Sequence, residues 1–217
     1  MVRERYDAVV FDFDGVLVES VDVKTDAFAA LYRPYGSDIV EKVVAWHMAH
    51  GGVSRFEKFR HFHRVFLGRN LEAEEEELLG HRFSQLVEDA VVASAWVPGA
   101  REFLETHHSL LPLYIASGTP EDELIRIVGR RGMGHYFKGV YGSPTSKGII
   151  IRNVIGMGGY VADRVLMVGD ALTDLQGAQE AKVKFLARVR AGGIDLFPAD
   201  TTRVEDLTSL ARCLACD

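Results

Sequence analysis

The sequence is short of cysteine, of long apolar runs and of excess positive charge. Cys213 and Cys216 are its only cysteines, and both lie in the last five of 217 residues. Their C-x-x-C spacing would suit a redox pair or half of a metal site. No further cysteine is present to complete one and no βαβ unit surrounds them, so they read as part of a terminal helix. No apolar signal segment precedes Tyr6 and no run approaches the length of a membrane span, so a soluble, cytoplasmic protein with no membrane partner is expected. The formal net charge of -6 argues against a nucleic-acid binder, although an acidic chain can still hold a cationic pocket for an anionic ligand. Internal repeats and low-complexity linkers are lacking as well. Hydrophobic residues at 47% and charged residues at 26% are ordinary for a folded chain, and the length suits one large domain or a core with a modest insertion.

What is present is an alternation of strand-like and helix-like runs. Apolar runs at Ala8–Phe13, Leu113–Ala116, Gly139–Tyr141, Arg164–Val168 and Lys184–Arg188 read as strands, most of them separated by helical patterns. The expectation is an α/β, doubly wound, mainly parallel sheet with a Rossmann-like core. Ser20 to about Ala93 breaks the alternation, having helical periodicity and no convincing strand. It reads as a helical cap inserted after the first strand, giving core residues 1–18, cap 19–92 and core 93–217. "VPGA" at Val97–Ala100 marks the return to the core.

The first strand ends in "FDFDG". Asp12 and Asp14 fall on the same side of an extended chain, where two close carboxylates repel. Ligands of parallel sheets bind beyond the carboxyl ends of the strands, so the pair stands where chemistry is expected, and a divalent cation would relieve the repulsion. "VLMVGDALTD" likewise ends an apolar strand in Asp170, with Asp174 one helical turn on. Four aspartates at two strand ends point to a hard cation bound by oxygen. "LYIASGTP" places Ser117, Gly118 and Thr119 after another apolar run, as an anion-approaching backbone or as ordinary turn chemistry. Lys147 in "GSPTSKG" is a phosphate-neutralising cation or an exposed loop lysine.

Cap features read more blandly. In "SRFEKFRHFHRVF", Phe56, Phe59 and Phe66 are expected in the core of the cap, with most of the interleaved cations on its wet face. Glu72–Leu79 reads as a solvated helix start, because acidic residues suit the positive end of the helix dipole. His47, His50, His61 and His63 read as surface or half-buried residues without zinc spacing, and "GRRGMGH" and "GMGGY" lack the context of a dinucleotide site.

Together, Asp12-Phe13-Asp14-Gly15, Ser117, Lys147 and Gly169-Asp170…Asp174 resemble the four motifs of the haloacid dehalogenase superfamily. The likeness spans Val9 to about Gly177, and the helical insertion is similar to the cap of the subgroup with phosphoglycolate phosphatases and beta-phosphoglucomutases. Gly148 departs from the pattern, since relatives often carry proline after the lysine. The resemblance implies a phosphoric monoester hydrolase dependent on Mg²⁺ and acting on a small phosphorylated metabolite through an aspartyl-phosphate. Asp12 would be the nucleophile and Asp14 the general acid and base. Ser117, Gly118 and Lys147 would hold the phosphoryl group. Asp12, the Asp14 backbone carbonyl, Asp170 and Asp174 would serve the metal. "GGVSR" is similar to a cap loop of the mutases whose arginine binds a distal phosphate, so Arg55 is expected to set specificity. A mutase-like enzyme and a catalytically silent binding module are the alternatives. Phosphonatases of the family use a cap lysine, for which Lys42 and Lys58 are candidates by residue type only, with no sign in the sequence of a depressed lysine pKa.

Overall fold

The computed structural model describes residues 5–214; Cys216 lies outside them, and Cys213 sits half-buried in a short terminal helix. Six strands form one sheet: β1 Ala8–Phe11, β2 Leu113–Pro120, β3 Gly139–Ser143, β4 Val165–Gly169, β5 Lys184–Arg188 and β6 Arg203–Val204. Their order is β3-β2-β1-β4-β5-β6 and every pairing is parallel. This is the doubly wound arrangement expected. The two-residue edge strand β6 escaped the sequence reading because it is too short to carry a periodicity.

Burial on both faces explains the unbroken apolar strands. From β1, Val9 and Phe11 join one core with Phe103, Leu113 and Leu166, while Ala8 and Val10 pack on the other face with Ile150, Val154 and Met167. The chain leaves β1 for β2 on one side and takes up β4 on the other, so the carboxyl end of β1 is the switch point of the sheet.

Between β1 and β2 stand the cap helices α1 Val21–Tyr32, α2 Ser37–Ala49, α3 Arg55–His61 and α4 Ala73–Ala93, then α5 Ala100–His107. Glu74, Glu75 and Glu76 occupy the first turn of α4, as their charge favours. The cap is built on aromatics: Phe28, Phe59, Phe62 and Phe83 are fully or almost fully buried, and Phe28 meets the other three rings at centroid distances of 4.5–5.8 Å. The two connections to the cap run antiparallel, the Glu19 amide donating to Ala95 O and the Val97 amide to Leu17 O.

Helix α3 corrects two cap expectations. The interleaved cations do not mostly face water, because Arg55 and Lys58 are buried while Arg60 and Arg64 are exposed. His47 and His63 are buried too: the phenyl ring of Phe28 covers His47, and His63 Nδ1 meets both the Tyr32 hydroxyl and Phe59 O. Burial on the inner side of a helix follows from which face meets the core, which a local sequence window does not reveal.

Candidate active site

Three carboxylates converge where β1 and β4 end. Asp12, Asp170 and Asp174 each bring an oxygen within 4.8 Å of the others. Asp12 is held at the tip of β1 by the Phe13 amide donating to its Oδ1 at 2.7 Å. Asp174, fully buried in the first turn of α8 Leu172–Ala181, accepts the Ala171 amide at 3.0 Å and the Asp170 amide at 3.2 Å, which caps the helix. Gly15 is required beside them. Its φ is +73° and a Cβ there would stand 2.0 Å from Asp170 Oδ2.

Lys147, the first residue of α7 Lys147–Gly158, enters the cluster from below. Its Nζ lies 3.0 Å from Asp12 Oδ2 and donates to Asp174 Oδ1. The lysine is buried rather than an exposed loop residue. Gly148 after it starts the helix against Glu180 without disturbing that position. One ammonium among three carboxylates leaves the cluster anionic. Burial, with repulsion from Asp174 and Asp14, pushes the Asp12 carboxyl up to about 7 against the pull of Lys147. Burial and the Asp12 charge push Asp170 well above the usual carboxylate range. The ammonium of Lys147 is in turn held protonated, its neighbours outweighing its burial. An oxygen-lined, net-negative cluster of this kind fits a divalent cation.

Asp14 faces away from that cluster. Its carboxylate accepts Ser20 Oγ at 2.6 Å, Lys24 Nζ at 2.5 Å and Thr119 Oγ1 at 3.1 Å. Burial alone would raise its pKa, but the Lys24 charge and these hydrogen bonds hold it below the usual range. On β2 the ladder to β3 is interrupted between Ala116 and Pro120, so Ser117, Gly118 and Thr119 sit in a break that frees backbone groups. The cap loop closes over this break: Gly52 O would be 2.4 Å from a Cβ on Gly118, and Thr173 Oγ1 donates to Gly51 O at 3.2 Å.

All the core residues singled out by sequence line one cleft of about 180 Å³ or stand immediately beneath it, which suits a ligand of a few carbons. Arg55 also lines the cleft, but its guanidinium is committed. Its Nη1 and Nη2 lie 2.9 and 2.5 Å from the two carboxylate oxygens of Glu123, and Nη1 is 2.9 Å from Ser84 Oγ. Glu123 belongs to the core helix α6 Glu121–Arg130, so the pair joins cap to core.

Lys24 and Arg188 escaped the sequence reading. Lys24 joins Thr119 in holding Asp14, and Arg188 at the end of β5 donates to Gly15 O at 3.0 Å and pairs with Glu19. Arg188 was findable, since it too stands at the carboxyl end of an apolar strand. Lys58 corrects the expectation of an ordinary lysine. Burial and the charge of Lys24 lower it to about 7. Lys42, by contrast, is exposed.

The family model for haloacid dehalogenase-like hydrolases matches residues 6–182. The chain belongs to this family. Similar solved structures include a predicted phosphoglycolate phosphatase of Haemophilus somnus 129pt, 17% identical with a TM-score of 0.74 over 96% of this chain and 98% of that one. CbbY of Rhodobacter sphaeroides in complex with xylulose-(1,5)bisphosphate is 15% identical with a TM-score of 0.75, over 97% of this chain and 100% of the other. YfnB of Bacillus subtilis, assigned as a HAD-hydrolase and bound to magnesium, is 17% identical with a TM-score of 0.72, over 98% and 100%. At these identities the likenesses establish the fold alone. No curated protein matches the chain. Among the described residues no helix is long and apolar enough to cross a membrane.

Proposed function

We propose that this hydrolase is a Mg²⁺-dependent phosphatase that cleaves a small phosphorylated metabolite through an aspartyl-phosphate on Asp12. The observation that carries the reading is the division of labour between the two aspartates of the first motif. Asp12 lies in the anionic cluster with Lys147, while Asp14 is turned to a separate set of hydroxyls and a lysine. A nucleophile and an acid–base group need such different surroundings.

Asp12, Asp170 and Asp174 would hold the cation with their side chains, and the Asp14 carbonyl would join them. Bound there, Mg²⁺ would neutralise charge on the phosphoryl oxygens and the nucleophile. Lys147 holds the Asp12 carboxylate in place and offers its charge to the transferring group. Ser117 and the Gly118 amide, in the break of β2, receive the phosphoryl oxygens. Asp12 attacks phosphorus in line, the ester oxygen leaves with a proton from Asp14, and Asp14 then takes a proton from the water that hydrolyses the aspartyl-phosphate. The cap loop at Gly51 and Gly52 limits access of water while this happens.

The family alternative, a mutase, needs a second phosphate gripped by the cap. The arginine expected to do so is bonded to Glu123, so the feature that resembled the mutases does not carry over to Arg55. The test is phosphate release from a panel of alkyl and sugar monophosphates with Mg²⁺, with Asp12→Asn as control. Release that falls by several orders of magnitude in the folded variant is expected. Metal-independent release, full activity of the variant, or conversion of beta-glucose 1-phosphate to glucose 6-phosphate with little free phosphate would refute the reading.

A further inference from the structure

Five cationic side chains line the cleft, and four of them have a carboxylate partner. Lys24 pairs with Asp14, Arg55 with Glu123, Arg188 with Glu19 and Arg190 with Asp22. Lys58 has no carboxylate within ion-pair reach among the described residues. Its side chain is 2% exposed, and its one hydrogen bond runs from Nζ to His47 Nδ1 at 2.7 Å. With Nζ as the donor, the His47 proton lies on Nε2, which is buried without a hydrogen-bond partner. A lysine and a histidine, both lining the cleft, thus hold donor capacity that nothing among the described residues uses.

We propose that Lys58, rather than Arg55, reads the far end of the substrate, and that the substrate is a phosphate monoester carrying a second anionic group, either carboxylate or phosphate. The proposal rests on the phosphatase reading of the same cleft. Lys58 follows Arg55 by three residues on α3, so the two share a helix face. Arg55 is spent in holding the cap to the core, which leaves Lys58 as the unpaired cation among the described residues that line the cleft. The groups facing Lys58 are Lys24 from α1, His47 from α2, and Asp14 and Asp170 from the strand ends. Lys24 repels it, Asp14 is committed to Lys24, and Asp170 belongs to the carboxylate cluster. A buried ammonium so placed is unfavourable until an anion arrives, and the ligand is what can bring one. The neutral form that burial favours in the empty cleft would take up a proton as the anion binds.

The test compares three esters on similar three-carbon skeletons: glycerol 3-phosphate with a neutral tail, 3-phosphoglycerate with a carboxylate, and propane-1,3-diol bisphosphate with a second phosphate. The wild type should prefer one of the anionic-tail esters in kcat/KM, expressed mainly through KM. Lys58→Met should lower that preference about tenfold or more, the weight of one charged hydrogen bond. Arg60→Ala, on the exposed face of the same helix, should leave the preference in place. The preferred anionic ester decides between carboxylate and phosphate. No preference in the wild type, or an unchanged preference in a cooperatively melting Lys58→Met, overturns the proposal. Should that variant not fold, Lys58→Gln, which keeps a donor to His47, is measured in the same way; if neither folds, Lys58 is structural and the proposal falls. If the wild type hydrolyses none of the three, turnover of the monophosphate panel judges the phosphatase reading by itself. Calorimetry with 3-phosphoglycerate and the bisphosphate then decides: binding lost in the variant supports the assignment, while equal binding or none to the wild type overturns it.

Discussion

Replacing Glu123 with alanine asks how firmly the cap is held to the core. The Arg55–Glu123 pair is 4% exposed on each side, bidentate, supported by Ser84, and stacked with the guanidinium 4.4 Å from the Phe83 ring centroid. Removing the carboxylate strands a buried guanidinium, which costs about 3–5 kcal/mol where no other group can replace the lost partner. For a chain of this length each kcal/mol moves Tm by about 2–4 °C, so Glu123→Ala should melt about 6–20 °C lower. If the cap swings out and rehydrates Arg55, the thermal loss shrinks but the radius of gyration from X-ray scattering grows. A shift of less than about 3 °C with an unchanged scattering profile would falsify the clasp, since it corresponds to about 1 kcal/mol. The wild type has a pH signature as well. Burial would raise the Glu123 carboxyl, but Arg55 and Ser84 outweigh it and hold it low. The stabilisation is therefore complete above the ordinary glutamate range and is lost as pH falls through the depressed folded value. Glu123→Ala should lose that part of the acid dependence.

Two further outcomes follow from the carboxylate cluster. Lys147→Met removes the cation between Asp12 and Asp174, so turnover of even a minimal aryl phosphate should fall by about 10²–10³, and near-normal kcat would take Lys147 out of the phosphoryl site. Adding Mg²⁺ at a hundredfold excess over its Kd should stabilise the protein by about 2.7 kcal/mol, or about 5–10 °C in Tm, and Asp170→Asn should abolish the gain; a melt that millimolar Mg²⁺ does not move contradicts the metal assignment.

The sheet was legible because five of its strands stand out as short, largely apolar runs, and three of them, β1, β2 and β4, end in marked residues. Asp12, Ser117 and Asp170 could be placed together before any coordinates, since parallel strands bring their carboxyl ends to one edge. Lys147 was legible by its place in the motif order, although its burial was not. The cap resisted for a physical reason. Its helices present Arg55, Lys58 and His47 inward, and whether a cation on an amphipathic helix meets water or a cleft depends on the partner surface, which is distant in sequence. Glu123 is the clearest case. It stands 68 residues beyond Arg55, on another helix, and the local pattern of α6 gives it no distinction from Glu121 and Asp122. Lys24 is similar, because only the turn at Gly15 and Ser20 brings α1 back over Asp14.

That return of α1 sets the acid–base chemistry. An acid must hold a proton before it can give one, and in this structure Lys24, 2.5 Å away, favours the ionised form of Asp14 and holds its carboxyl below the usual range. Proton donation to a leaving alkoxide therefore requires the Lys24–Asp14 contact to rearrange, or the proton to cross it, as substrate fills the cleft. Lys24→Met removes the largest lowering influence and leaves burial opposed only by the Ser20 and Thr119 hydrogen bonds, so the Asp14 carboxyl rises. The protonated form then persists to higher pH, so with glycerol 3-phosphate the alkaline limb of kcat/KM assigned to Asp14 should move upward. The neutral tail of that ester keeps Lys58 out of the measurement. With an aryl phosphate, whose leaving group needs no proton, that limb should be missing in both proteins. An alkaline limb that stays fixed for the alkyl ester when Lys24 is replaced would separate Lys24 from the proton on Asp14, leaving the lysine a structural counter-ion to the second aspartate of the motif.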